Sequence, residues 1–203
     1  MNTIADRSSS DAARPEDVRP APSGPAVGFS TGAVKEVIIR YETPVDADQV
    51  RIVNERAFGS PDEAALVDAL RGVAGAISLV AVVGDRVVGH ILFTPVQIEG
   101  APSHVRAAGL APMAVLPGHQ RQGIGSALVR DGLRECRRAG YDVVVVVGHP
   151  EYYPKFGFAR ASTKGLEYEQ PVRPEAFMVI ELTQGILAGV GGVVRYRPEF
   201  DRV

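Results

Sequence analysis

At 203 residues the chain is long enough for one domain with a substantial core and some excess. With 45% apolar residues, 23% charged and a formal net charge of −2, it reads as an ordinary soluble globular protein. It offers neither a basic stripe with interleaved aromatics for nucleic acid nor an apolar run near the ~18 residues that a membrane span needs.

Residues 1–33 are rich in Ser, Pro, Ala, Gly and Asp and lack large apolar groups, so they read as a disordered tail preceding a domain over 34–203. No basic start and apolar run mark a secretory signal, which leaves a cytoplasmic location as the default. Val37–Tyr41 is β-branched and short, a strand. Thr43 as N-cap, Pro44 at the first helical position and Asp46 facing the dipole open a helix through about Phe58. Ser60-Pro61-Asp62-Glu63 starts a second helix, with Leu66, Leu70 and Val73 at helical spacing. A meander follows: a strand over 77–83, a turn at Gly84-Asp85, a strand over 87–98 and another over 105–116. A helix over 123–138 carries Val129, Leu133 and Cys136 on one face and stops at Gly140. The unbroken apolar run 143–147 is a strand buried on both faces. A short helix over 150–156, a strand over 177–182 and an optional last one over 193–196 complete the chain. The order β-α-α-β-β-β-α-β-α-β, with that optional strand, predicts an α/β fold of the α+β kind, with helices on both faces of a mixed sheet.

Cys136, the lone cysteine, excludes an internal disulfide framework and a Cys-based zinc site, and His90 and His104 have no metal-like spacing, so no metal is expected. The strongest chemical signal is Gln120-Arg121-Gln122-Gly123-Ile124-Gly125-Ser126, where a strand turns into a helix at glycines. First-turn amides lack intrahelical partners and the dipole adds positive charge, so a pyrophosphate fits there; glycines let it approach the backbone. A P-loop is excluded because Ser126-Ala127 follows Gly125 in place of Lys-Ser/Thr. A Rossmann turn is excluded because Leu128 stands where a small residue is required and the preceding strand comes from a meander.

This segment resembles the Gln/Arg-x-x-Gly-x-Gly/Ala signature of the GNAT acetyltransferases, and it follows Met113-Ala114-Val115 as that signature follows its strand. One helix and one buried strand later, Tyr152-Tyr153-Pro154-Lys155-Phe156-Gly157-Phe158 resembles the family's aromatic-Tyr-x-Lys-x-Gly-Phe motif. With Gly148-His149-Pro150-Glu151 before it, the stretch is similar to the YhbS-like branch. The resemblance spans residues 37–182 and implies the GNAT acyl-CoA N-acyltransferase fold.

It also implies acetyl-CoA as the acyl donor and a primary amine as the acceptor, either a small molecule or a protein amino group. The pantetheine arm would pair with the backbone of Met113, Ala114 and Val115, on a strand that splays from its neighbour. That would account for Pro112, which a fully paired central strand tolerates poorly. The pyrophosphate would sit on the amides of Arg121, Gln122, Gly123, Ile124, Gly125 and Ser126. Arg121 adds a charge contact or remains solvated; Gln120 orders the loop. Tyr153 falls on the general-acid position, where a phenol of pKa near ~10 is protonated and comparable to the thiol it must make. The match fails at the base: neither 107–115 nor 143–147 holds the usual carboxylate, and Gly148-His149 replaces a common Asn. His149 is the first candidate to deprotonate the amine and Glu151 the second. Burial of Cys136 on the helix face argues against an acetyl-cysteine route, leaving direct transfer in a ternary complex. An acyl-CoA-binding sensor without turnover, or transfer of another acyl group, are the alternatives. The Gly-rich segment 185–192 is a candidate to close the acceptor site or to form an interface such as that of a homodimer.

Overall fold

The β-branched runs fold as strands and the helically spaced ones as helices, in nearly the expected order. The computed structural model describes residues 36–202, so the tail expected over 1–33 lies outside the described residues. β1 (Val37–Tyr41) is followed by a one-turn 3-10 helix (Pro44–Asp46), α1 (Ala47–Phe58), α2 (Asp62–Leu70), β2 (Ile77–Val83), β3 (Arg86–Ile98) and β4 (Ala107–Val115). Then come α3 (Ile124–Arg138), β5 (Val143–Val147), β6 (Ala159–Arg160), β7 (Leu166–Tyr168), β8 (Phe177–Glu181) and β9 (Gly192–Arg195). The sheet runs β1-β2-β3-β4-β5-β8-β6, with β9 pairing both β3 and β7. β4–β5 and β7–β9 are parallel; the other described pairs are antiparallel.

Side chains on successive strand residues face opposite ways, and β3 uses both sides. Gly89 lies beneath Leu128 and Ile124 of α3, and Phe93 packs so tightly on Gly132 of α3 that a Cβ there would stand 2.5 Å from the ring Cζ. His90, between them, instead bonds Asn54 of α1 at 3.2 Å on the other face. The central strands are therefore buried on both sides, as the run Val143–Val147 implied.

Three expectations need correction. The helix expected over 150–156 is only a 3-10 turn, Tyr153–Phe156, because Pro154 lacks a donor and Gly157 turns left-handed at φ 96°. β6 and β7 were not anticipated; two and three residues are too short to show a period. Asp46 does not simply face a helix dipole. It is buried and accepts bonds from Arg40 at 2.7 and 2.8 Å and from the amide and hydroxyl of Thr43. The Arg40 guanidinium in particular holds its carboxyl well below the usual carboxylate range.

Two features of β4 shape the site. Ile91 pairs with Met113 and Phe93 with Leu110, so Ala111 and Pro112 together face one residue of β3. Pro112 thus sits in a bulge, where its missing donor is harmless. On its other edge β4 pairs with β5 only from Ala107 to Gly109, opposite Val143 to Val145. Beyond that point β4 continues along β3 and β5 along β8, and the two strands part in a fork.

Candidate active site

The fork opens into a cavity of about 660 Å³. One wall is the free edge of β4 at Met113, Ala114 and Val115. Met113 and Val115 also pack partly against the core, so their side chains hold the strand while their backbone faces the opening.

The turn after β4 is fixed by its own side chains. Gln120 Nε2 donates to Val115 O at 3.0 Å, and Gln122 Nε2 to Gly118 O at 3.1 Å. Arg121 adopts φ 60° and Gly123 φ 86°, and Arg121 is the one non-glycine with positive φ among the described residues. The first helical bond of α3 runs from the Ala127 amide to Gly123 O at 3.0 Å. The amides of Arg121, Gln122, Gly123, Ile124, Gly125 and Ser126 take no main-chain acceptor among the described residues, and they form a row of free donors at the positive end of a fifteen-residue helix. At Gly125 a Cβ would stand 2.9 Å from Tyr152 Oη and 3.5 Å from Met113 Sδ, so a bare Cα is needed for the turn to meet the opposite wall.

That wall is the segment after β5. Tyr152 packs edge-on to Tyr153 at 5.1 Å and to Phe156 at 5.4 Å, with Lys155 Nζ 3.7 Å above its ring. Tyr153 is 6% exposed and lies on Gly148, where a Cβ would meet its Cδ2 at 3.1 Å. Burial, and then the neighbouring Tyr152, push its phenol well above the ordinary value, so it is protonated at neutral pH. His149 is exposed and lines the same cavity; Glu151 is exposed outside the lining. Among the described residues no carboxylate lines the cavity. The cavity thus brings together the expected strand edge, Arg121, Gly123, Gly125 and Ser126 of the turn and the two expected catalytic residues, but not Gln122, Ile124 (buried in the core) or Glu151.

Four lining residues were given no role in the site by the sequence reading: Ala57, Phe58, and Tyr152 and Lys155 of the second motif. Phe58 carried a usable signal, a large apolar residue at the last position of a helix, just before Gly59. It is 44% exposed at the mouth.

Residues 38–161 match the family model of the acetyltransferase (GNAT) domain. The chain belongs to the GNAT acetyltransferase family. The N-acetyltransferase YhbS of Escherichia coli is 36% identical to it over 169 residues, covering 82% of this chain and 99% of YhbS. The E. coli N-acetyltransferase YjhQ is 38% identical over 147 residues, 70% of this chain and 81% of YjhQ. The crystal structure of E. coli YhbS in complex with CoA matches with a TM-score of 0.77, covering 82% of this chain and 92% of that one. A GNAT acetyltransferase from Brucella melitensis in complex with acetyl-CoA, 36% identical, gives 0.67 over 82% and 99%. This GNAT enzyme is an N-acetyltransferase with the mixed α/β sheet expected of its family. Its matched span ends at Ala161, so β7, β8 and β9 lie beyond it. Among the described residues no helix is long and apolar enough to cross a membrane.

Proposed function

We propose that this GNAT enzyme transfers an acetyl group from acetyl-CoA to a primary amine, by direct attack in a ternary complex. The observation that carries this reading is that one cavity joins an unpaired strand edge, a row of free amides and a buried phenol. The pantetheine amides would pair along Met113, Ala114 and Val115 as an added strand. The diphosphate would be held by the amides of Arg121, Gln122, Gly123, Ile124, Gly125 and Ser126. The CoA and acetyl-CoA complexes of the two 36%-identical relatives support the choice of donor.

In the reaction the lone pair of the neutral amine attacks the thioester carbonyl. The tetrahedral oxyanion collapses, the C–S bond breaks and Tyr153 gives its proton to the departing thiolate. The amine nitrogen loses one proton to His149 or to water beside it, and a proton from solvent restores the phenol. The sum is amine plus thioester to amide plus thiol. Burial weakens Tyr153 as an acid, but the same dry pocket raises the proton affinity of the thiolate, so the two remain matched. The acceptor is a small-molecule amine or a protein amino group.

The absence of a carboxylate from the lining, among the described residues, favours a second reading, an acyl-CoA-binding sensor without turnover. Thiol release over a panel of amines separates the two. Enzyme activity predicts release with at least one amine, and Tyr153→Phe should lower kcat by about 10²–10⁴ with little change in the KM for acetyl-CoA. Undiminished turnover by Tyr153→Phe would remove the phenol from the mechanism, and no release across the panel would leave the sensor.

A further inference from the structure

We propose that Tyr196 gauges the acyl chain: its ring closes the apex of the β4–β5 fork, so a two-carbon acyl group fits and a longer one does not. The inference rests on the donor-binding reading above and adds a residue outside the matched family span.

Gly109 is the last residue of β4 paired with β5, opposite Val145. A Cβ on Gly109 would lie 2.7 Å from Tyr196 Cζ and 2.8 Å from Val96 Cγ1, so the ring rests on the bare Cα at the apex. The Tyr196 hydroxyl reaches across to donate to Val145 O at 3.5 Å. The ring therefore bridges both strands where they part. It is held there from behind. β9 pairs with the end of β3, the Tyr196 amide donates to Glu169 Oε1 at 2.7 Å, and Tyr168 and Phe200 make edge contacts at 5.4 and 5.0 Å. Burial pushes the Tyr196 phenol up.

A pantetheine arm lying along Met113–Val115 points its thioester down the free edge toward Gly109 and Tyr153. The acyl carbons then extend toward the Tyr196 ring. Each further methylene must displace an aromatic side chain locked on three sides, whereas the methyl of an acetyl group stops short of it. A pocket that excludes methylenes in this way discriminates by roughly 10–200-fold for each one.

The test compares kcat/KM for acetyl-, propionyl- and butyryl-CoA with the best amine of the panel, in the full chain. The wild type should favour acetyl over butyryl, which carries two further methylenes, by about 100-fold or more. Tyr196→Phe, which keeps the ring, should retain that preference, while Tyr196→Ala and Tyr196→Leu should narrow it about tenfold or more by gaining butyryl turnover. Melting with and without CoA confirms that the variants are folded and bind. Equal use of butyryl-CoA by the wild type overturns the proposal whether or not any variant folds. So does a folded, CoA-binding Ala or Leu variant with the wild-type ratio. No turnover with any donor counts instead against the enzyme reading. In that case the wild type should still be stabilised more by acetyl-CoA than by butyryl-CoA in thermal shift, and the reverse order overturns the gauge.

Discussion

His90 gives the sharpest quantitative prediction about the scaffold. It is wholly buried, with Nε2 2.9 Å from Ser78 Oγ and Nδ1 3.2 Å from Asn54 Nδ2. Ser78 donates its own proton to Glu42, so its oxygen accepts from Nε2–H, and Nδ1 accepts from Asn54. Both ring nitrogens are thus used in the neutral form. Burial, and secondarily the charge of Arg71, lower its pKa to about 3. Glu42 Oε2, 3.7 Å from Nε2, does not reverse this because Glu42 is paired with Arg71 at 3.0 Å. Between about pH 6.5 and pH 3 the unfolded chain binds a proton at this residue and the folded one does not. Stability is therefore complete above pH 6.5 and falls as the pH is lowered. From pH 7 to pH 5 the loss comes to about 2 kcal/mol, a drop in Tm of roughly 4–8 °C. Asp46 and Glu181, whose pKa values are lowered, lose their contributions only at lower pH, which leaves this window to histidine. Calorimetric melts of the wild type and His90→Gln at both pH values test it. A drop of equal size in His90→Gln, or none in the wild type, would refute the reasoning.

Other outcomes follow from single contacts. Gly132→Val forces a side chain into the Phe93 ring and should destabilise by about 1–3 kcal/mol in denaturant unfolding. Gly125→Val fills the gap before Tyr152 Oη and Met113 Sδ and should raise the KM for acetyl-CoA about tenfold or more, with a smaller change in kcat. If His149 takes the amine proton, His149→Ala should lower kcat by about 10²–10⁴ with little change in the KM for acetyl-CoA; an unchanged kcat assigns that step to water.

The sequence was most legible where one physical constraint acted locally. The β-branched run Val143–Val147, the glycine-led start of α3 and the Thr43-Pro44 cap all fold as read. Pro112 fitted the splayed strand that the family resemblance implied, and it sits in a bulge of β4. Legibility failed where long-range packing decides. β6 and β7 are strands only because β8 and β9 lie beside them. Tyr196 is an unremarkable aromatic in sequence, and only the β3–β9 pairing carries it to Gly109. The bonded set of His90 and Asn54, both buried, with the partly buried Ser78 and Glu42 comes from four separate elements and segments, so no spacing could announce it.

The most direct measurement is a crystal structure of the protein with CoA. Diphosphate oxygens should lie within hydrogen-bond distance of the amides around Gly123, Ile124 and Gly125, with the sulfur beside the Tyr153 hydroxyl and the pantetheine paired to Met113–Val115. A cofactor bound elsewhere, leaving that turn empty, would contradict the mechanism at its root.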